Sequence, residues 1–167
     1  QNITLPKNTR IYDKTGLHIY PSFIDLHSTF GISSPKGASS GRSAQYEPNR
    51  KGYYWNDHIL SEYNSLKDYR YDLKKAKMLR EVGFGIVNTH RADGIHRGTS
   101  TLVALSDDNS ESKRLIATEA AAHFSFKKSV TSNQSYPSSV MGAMALIRQF
   151  IHDARWYAEG NTSEKDL

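Results

Sequence analysis

The 167-residue sequence contains no cysteine. Disulfides, thiolate metal sites and cysteine nucleophiles are therefore excluded within it. No apolar run approaches the roughly 20 residues that a membrane-spanning helix requires. A serine nucleophile on a G-x-S-x-G turn is missing. So is a phosphate loop, because Gly37 to Gly41 lacks the Lys-Ser/Thr pair and the preceding strand. There is no internal repeat. Charge of one sign is only slightly in excess, with 22 basic against 17 acidic residues and a net +5. The densest basic cluster, Lys74, Lys75, Lys77 and Arg80, reads as a solvated helix face, so nucleic-acid binding is not expected.

The length suits one domain with a sizeable core. The stretch the chain is organised around is HIYPSFIDLHSTFG, His18 to Gly31. Its apolar run Phe23-Ile24-Asp25-Leu26 reads as a buried strand. Alternation along a strand would put Asp25, His27 and Thr29 on one face. Before it, Thr9–Tyr12 and Leu17–Tyr20 read as extended pieces around a turn at Asp13-Lys14-Thr15-Gly16. After it, residues 32–52 are rich in Ser, Gly, Pro and Lys and read as a long loop. Tyr53-Tyr54-Trp55 supplies anchoring aromatics, in a chain with ten tyrosines.

Leu66, Tyr69, Leu73, Ala76, Leu79 and Val82 repeat at three- and four-residue steps, which predicts a helix over Leu66–Val82 with Gly83 as the residue just past its end. Phe84–His90 reads as a second buried strand, completing a βαβ unit and pointing to an α/β fold. Thr99–Leu105 reads as a further strand. Leu115–Phe126 is open between helix, from its alanines, and strand, from the alternation His123-Phe124-Ser125-Phe126. A last helix is expected from an N-cap at Ser138, with the stripe Val140, Met144, Ile147, Ile151 and Ala154, ending at Gly160.

The histidines deserve a role by role reading. His90 and His96 flank Arg91, Asp93 and Arg97 after the second strand, so with His27 they can line one mouth. A substitute metal site from His27, His90 and His96 is one arrangement of these groups. Arg91 and Arg97 are exposed-loop candidates for a carboxylate or phosphate. His58, His123 and His152 have no partner at metal-ligand spacing. Three glycosylation-type triplets, at Asn2, Asn133 and Asn161, are weak patterns.

The segment YPSFIDLH resembles the Y-P-G-F-I-D-x-H-x-H signature of the metal-dependent amidohydrolase superfamily, in its imidazolonepropionase-like branch. Trp55-Asn56-Asp57-His58-Ile59 is similar to a W-N-D-x-I segment of that branch, and the likeness covers roughly residues 10–31 and 53–160. It implies part of a (β/α)8 barrel with the edge of a small β-sandwich. Residues 1–22 would be the sandwich edge. Residues 23–160 would be the first βα units, with long loops at 32–65 and 91–136, and 161–167 a tail. A complete barrel takes about 250 residues, so the remaining strands and metal ligands are expected beyond Leu167 or on another chain. The function implied is metal-dependent hydrolysis of non-peptide C–N bonds, with zinc as the divalent metal and His27 as its first ligand. Thr29 stands where the family has the second histidine, and a neutral hydroxyl is a poor zinc ligand. The alternative is therefore an inactive scaffold or binding subunit of a larger envelope assembly. The barrel-mouth residues implied are Asp25, Thr29, His90, Arg91, His96 and Arg97. Members of the branch often carry export signals, which implies the bacterial periplasm or cell envelope.

Overall fold

A computed structural model describes residues 6–38, 55–108 and 110–160. Tyr53, Tyr54, the tail and the triplets at Asn2 and Asn161 lie outside the described residues. In chain order the elements are strand β1 (Phe23–Ser28), a 3-10 turn (Ser65–Lys67), helix α1 (Leu73–Glu81), β2 (Phe84–Thr89), β3 (His96–Thr99), β4 (Thr101–Ala104), α2 (Glu111–Arg114), β5 (Leu115–Ala117), β6 (Ala122–Phe124) and α3 (Val140–Ala158). The span 91–136, expected as a long loop, thus carries four short strands and a helical turn.

The βαβ unit is present. β1 and β2 pair in parallel, Phe23 opposite Phe84 and Asp25 opposite Val87, with α1 on the crossover between them. The next strand runs the other way. β4 pairs antiparallel with β2, Val103 opposite Val87, and β5 continues antiparallel beside β4, giving the order β1-β2-β4-β5. A parallel crossover takes about a dozen residues or more, and the link from Thr89 to Thr101 is shorter, so the chain doubles back. β3 and β6 form a separate antiparallel pair. The molecule is mixed α/β, and no closed barrel forms among the described residues.

The helix expected over Leu66–Val82 is split. Asn64 caps the 3-10 turn by accepting from the Leu66 N–H, and Asp72 starts α1 afresh by accepting from the Lys75 N–H. A second cap six residues past Leu66 ends one helix and begins another, because it satisfies amide donors that a continuous helix would have used. At the far end Gly83 (φ +97°) follows Val82 as expected, its N–H bonded to Arg80 O. Leu115–Phe126 resolves toward strand, with β5 and β6 separated by Thr118–Ala121.

α3 begins one residue later than expected. Ser139, not Ser138, accepts from the Gly142 N–H. The face that packs is also rotated from the expected stripe: Ala143, Leu146, Ile147 and Phe150 meet Ile59, Ile95 and Trp55, while Val140, Met144 and Ile151 are exposed. The rest of the core lies between α1 and the sheet, where Phe30, Tyr69, Ala76, Val87, Val103 and Leu105 close over one another. Burying each valine there contributes about 1.5–3 kcal/mol. Near the amino end the expected turn forms, with Leu17 N–H donating to Lys14 O and Gly16 at φ +84°. Its flanks join no ladder, and Ile19 and Tyr20 are exposed.

Candidate functional site

Three imidazoles meet at the carboxyl ends of β1 and β2. The His27 and His90 rings stand edge to face with centroids 4.4 Å apart, and His90 and His123 stack at 4.0 Å. The His27 and His123 rings are 6.1 Å apart. β1 and β2 deliver the first two because parallel neighbours end together, and His90 N–H bonds Ser28 O to hold that end in register. β6 brings His123 in from its pairing with β3, where Phe124 lies opposite His96.

The hydrogen bonds fix which nitrogens carry protons. His90 Nδ1 lies 2.8 Å from Arg91 O, a carbonyl that can only accept, so Nδ1 is protonated and Nε2 offers a lone pair. That Nε2 is buried and has no partner among the described residues. Asn88 Nδ2 sits 3.4 Å from both Leu26 O and His123 Nε2, which makes the amide nitrogen the donor and His123 Nε2 an acceptor. Asn88 Oδ1 is likewise buried without a partner. The cluster therefore presents two buried acceptors and no matching donor, an arrangement that a ligand with N–H or O–H groups satisfies.

Electrostatics favour the neutral form of His90 and His123. Burial pulls the His90 imidazole below its ordinary value, and nearby His27 and Arg97 add to the effect. For His123, burial first and then His90, His27 and Arg97 bring it down to about 4. Close-packed imidazoles cannot all charge in one place.

Asp25 is half-buried, and its Oδ1 accepts from the His27 N–H at 3.0 Å, fixing the backbone that carries His27. Thr29 does not share that mouth. The pairing slips between Asp25 and Ser28, so the simple alternation is lost, and Thr29 lines a different cavity with Gly31, Arg70 and Leu73. His96 also stays away, since its ring packs on Phe124 and Phe150 at 4.5 and 4.7 Å. The grouping of His27, His90 and His96 is thus corrected to His27, His90 and His123. Arg97 is buried rather than loop-exposed, its Nε donating to Gly94 O. Arg91 is held by Asp93 at 3.1 Å and lies over the Tyr63 ring at 5.1 Å.

Asp93 itself is consumed structurally, accepting from Ser129 Oγ and Val130 N–H. His58 is a strut: its Nδ1 accepts from Ser129 N–H, beside Gln134, which bonds Asp57 N–H and Trp55 O. His123 and Asn88 were the residues missed. The signal for Asn88 was present, since a polar residue two before His90 shares its face just after the apolar run Ile86-Val87.

The described residues alone do not complete the divalent-metal site that the resemblance implies. Among the described residues no group of three or more His, Asp or Glu is arranged to hold one, and the His90 and His123 rings face each other at 20° rather than converging. No helix of the described residues is long and apolar enough to cross a membrane.

No protein-family model matches the chain, and no curated protein does. Among solved structures, an amidohydrolase from Thermotoga maritima MSB8 is similar in fold, with a TM-score of 0.56 at 14% sequence identity over 94% of this chain. This chain spans 44% of that one. The likeness in fold is therefore to part of an amidohydrolase.

Proposed function

We propose that the chain is a segment of an amidohydrolase-like protein that acts on a small compound containing a non-peptide C–N bond, bound at the mouth formed by His27, Asn88, His90 and His123. The observation that carries this is the pair of buried, partnerless acceptors, His90 Nε2 and Asn88 Oδ1, at the strand ends of a fold similar to part of an amidohydrolase. An amide or ureido N–H supplies the donors these atoms lack. The neutral imidazoles orient such a group, and His90 Nε2 can accept a proton from it. His27 keeps the place of the resembled family's first metal ligand, which supports hydrolysis as the activity. The remainder of the polypeptide, or another chain, completes the barrel and supplies the rest of the site, in the cell envelope as the resembled branch suggests.

A second reading, a binding scaffold without hydrolysis, is favoured by one observation: Thr29 opens onto a different cavity from His27. Metal analysis of the full-length protein separates the two. Stoichiometric zinc that is lost in His27→Ala supports the hydrolase. A metal-free natural protein supports the scaffold, whether or not Thr29→His gains zinc.

A further inference from the structure

Beside the histidine mouth lies a cavity of about 300 Å³ lined by Ser33, Ser34, Pro35, Asp68, Arg70 and Arg91. Its walls are fixed. Gly31 (φ +72°) accepts the Arg70 N–H, and a Cβ there would strike the Arg70 carbonyl and meet Tyr69 Cε2 at 2.9 Å. Only glycine lets the 31–35 loop approach this closely. Arg91 lies over the Tyr63 ring with one amino group on Asp93, and its Nε is buried without a partner among the described residues. The Arg70 guanidinium is steadied by Tyr69 O at 2.7 Å. Asp68 is occupied by the Tyr63 hydroxyl at 2.8 Å, and burial raises that phenol so that it stays a donor.

We propose that this cavity is a carboxylate-binding subsite in which Arg70 and Arg91 hold the acid group of a small molecule. Arg91 is already paired with Asp93, so the one lining guanidinium without a carboxylate partner among the described residues is Arg70, a single positive charge open to a ligand. That balance suits a singly charged carboxylate, whereas the second charge of a phosphate meets Asp68. The hydroxyls of Ser33 and Ser34 add neutral donors. The subsite adjoins the mouth through one peptide, because Arg91 follows His90 and its carbonyl receives the His90 Nδ1 proton. The inference rests on the reading above for its substrate, a molecule with both an acid group and a C–N bond, but not for its test.

The test is binding alone, so neither metal nor turnover is needed. The full-length protein is titrated with N-acetylglycine, with N-acetylglycinamide as its uncharged analogue, and with inorganic phosphate. The acid binds, the amide binds at least about tenfold more weakly, and phosphate is weaker than the acid. Arg70→Gln lowers the acid's affinity by about tenfold or more. Arg91→Lys retains part of it, since a lysine keeps the charge but not the fork. Arg70 is exposed, so its variant keeps the fold if Arg91→Lys does not. Equal affinity for acid and amide, tighter binding of phosphate, or an Arg70→Gln protein that binds as well as the natural one overturns the proposal. Carboxylate binding by a protein with no hydrolytic activity leaves it standing and removes only the hydrolase reading.

Discussion

His123 is the residue on which the chemistry of the mouth turns. Its folded-state value, about 4, lies below the ordinary value of 6.5. A depressed histidine binds protons more readily unfolded than folded. Stability contributed by the neutral ring is therefore whole above about 6.5 and is lost as the pH falls through the window down to about 4. Denaturant unfolding at pH 7 and pH 5 should show a lower midpoint at pH 5, and His123→Gln should shrink that difference. An unchanged difference in the variant would place the acid sensitivity elsewhere. From sequence His123 offered no metal-like spacing, and what reveals it is a ladder between β3 and β6. The alternation at His123–Phe126 hints at a strand, but a long-range pairing of two three- or four-residue strands leaves no local sign of its partner. His27 and His90 were legible because each stands at the carboxyl end of a strand, where polar residues gather.

At the scale of elements, the sequence pattern located β1, α1, β2, β4 and α3 but missed β3 and α2, and it misjudged two helices for the same reason. A periodic apolar stripe describes which residues share a face, while caps decide where a helix begins. Asp72 and Ser139 each accept an amide proton three residues on, and each overrode the wider pattern. The rotated face of α3 yields a sharp comparison. Phe150 packs on His96 and Phe124, and Met141 is 81% exposed. Phe150→Ala should cost about 2 kcal/mol or more, and Met141→Ala no more than about 0.5 kcal/mol, by denaturant unfolding. The expected stripe, running through Val140, Met144 and Ile151, predicts instead a large loss at Met144. The antiparallel turn after β2 was not legible either, because strand direction depends on the length of a link and not on the strands it joins.

For the whole molecule, the telling feature is apolar surface facing outward. Phe23 and Leu26 on β1 are 66% and 69% exposed, and among the described residues β1 and β5 both leave an open edge. Open edges and bare apolar faces invite further strands. The stretch of 167 residues expressed alone should therefore melt broadly and associate with itself. A sharp, concentration-independent transition would mean that these faces need no cover. The same outward faces agree with a fold that spans 44% of its structural neighbour.

Three imidazoles, those of His27, His90 and His123, share one mouth. Nitrogen-detected NMR of the histidine side chains in the full-length protein tests it directly. His123 should titrate near pH 4, and its midpoint should rise when His90 and His27 are both replaced by Asn. A His123 that titrates near its ordinary 6.5 in the natural protein, or one indifferent to the loss of the other two rings, would contradict the cluster and the function built on it.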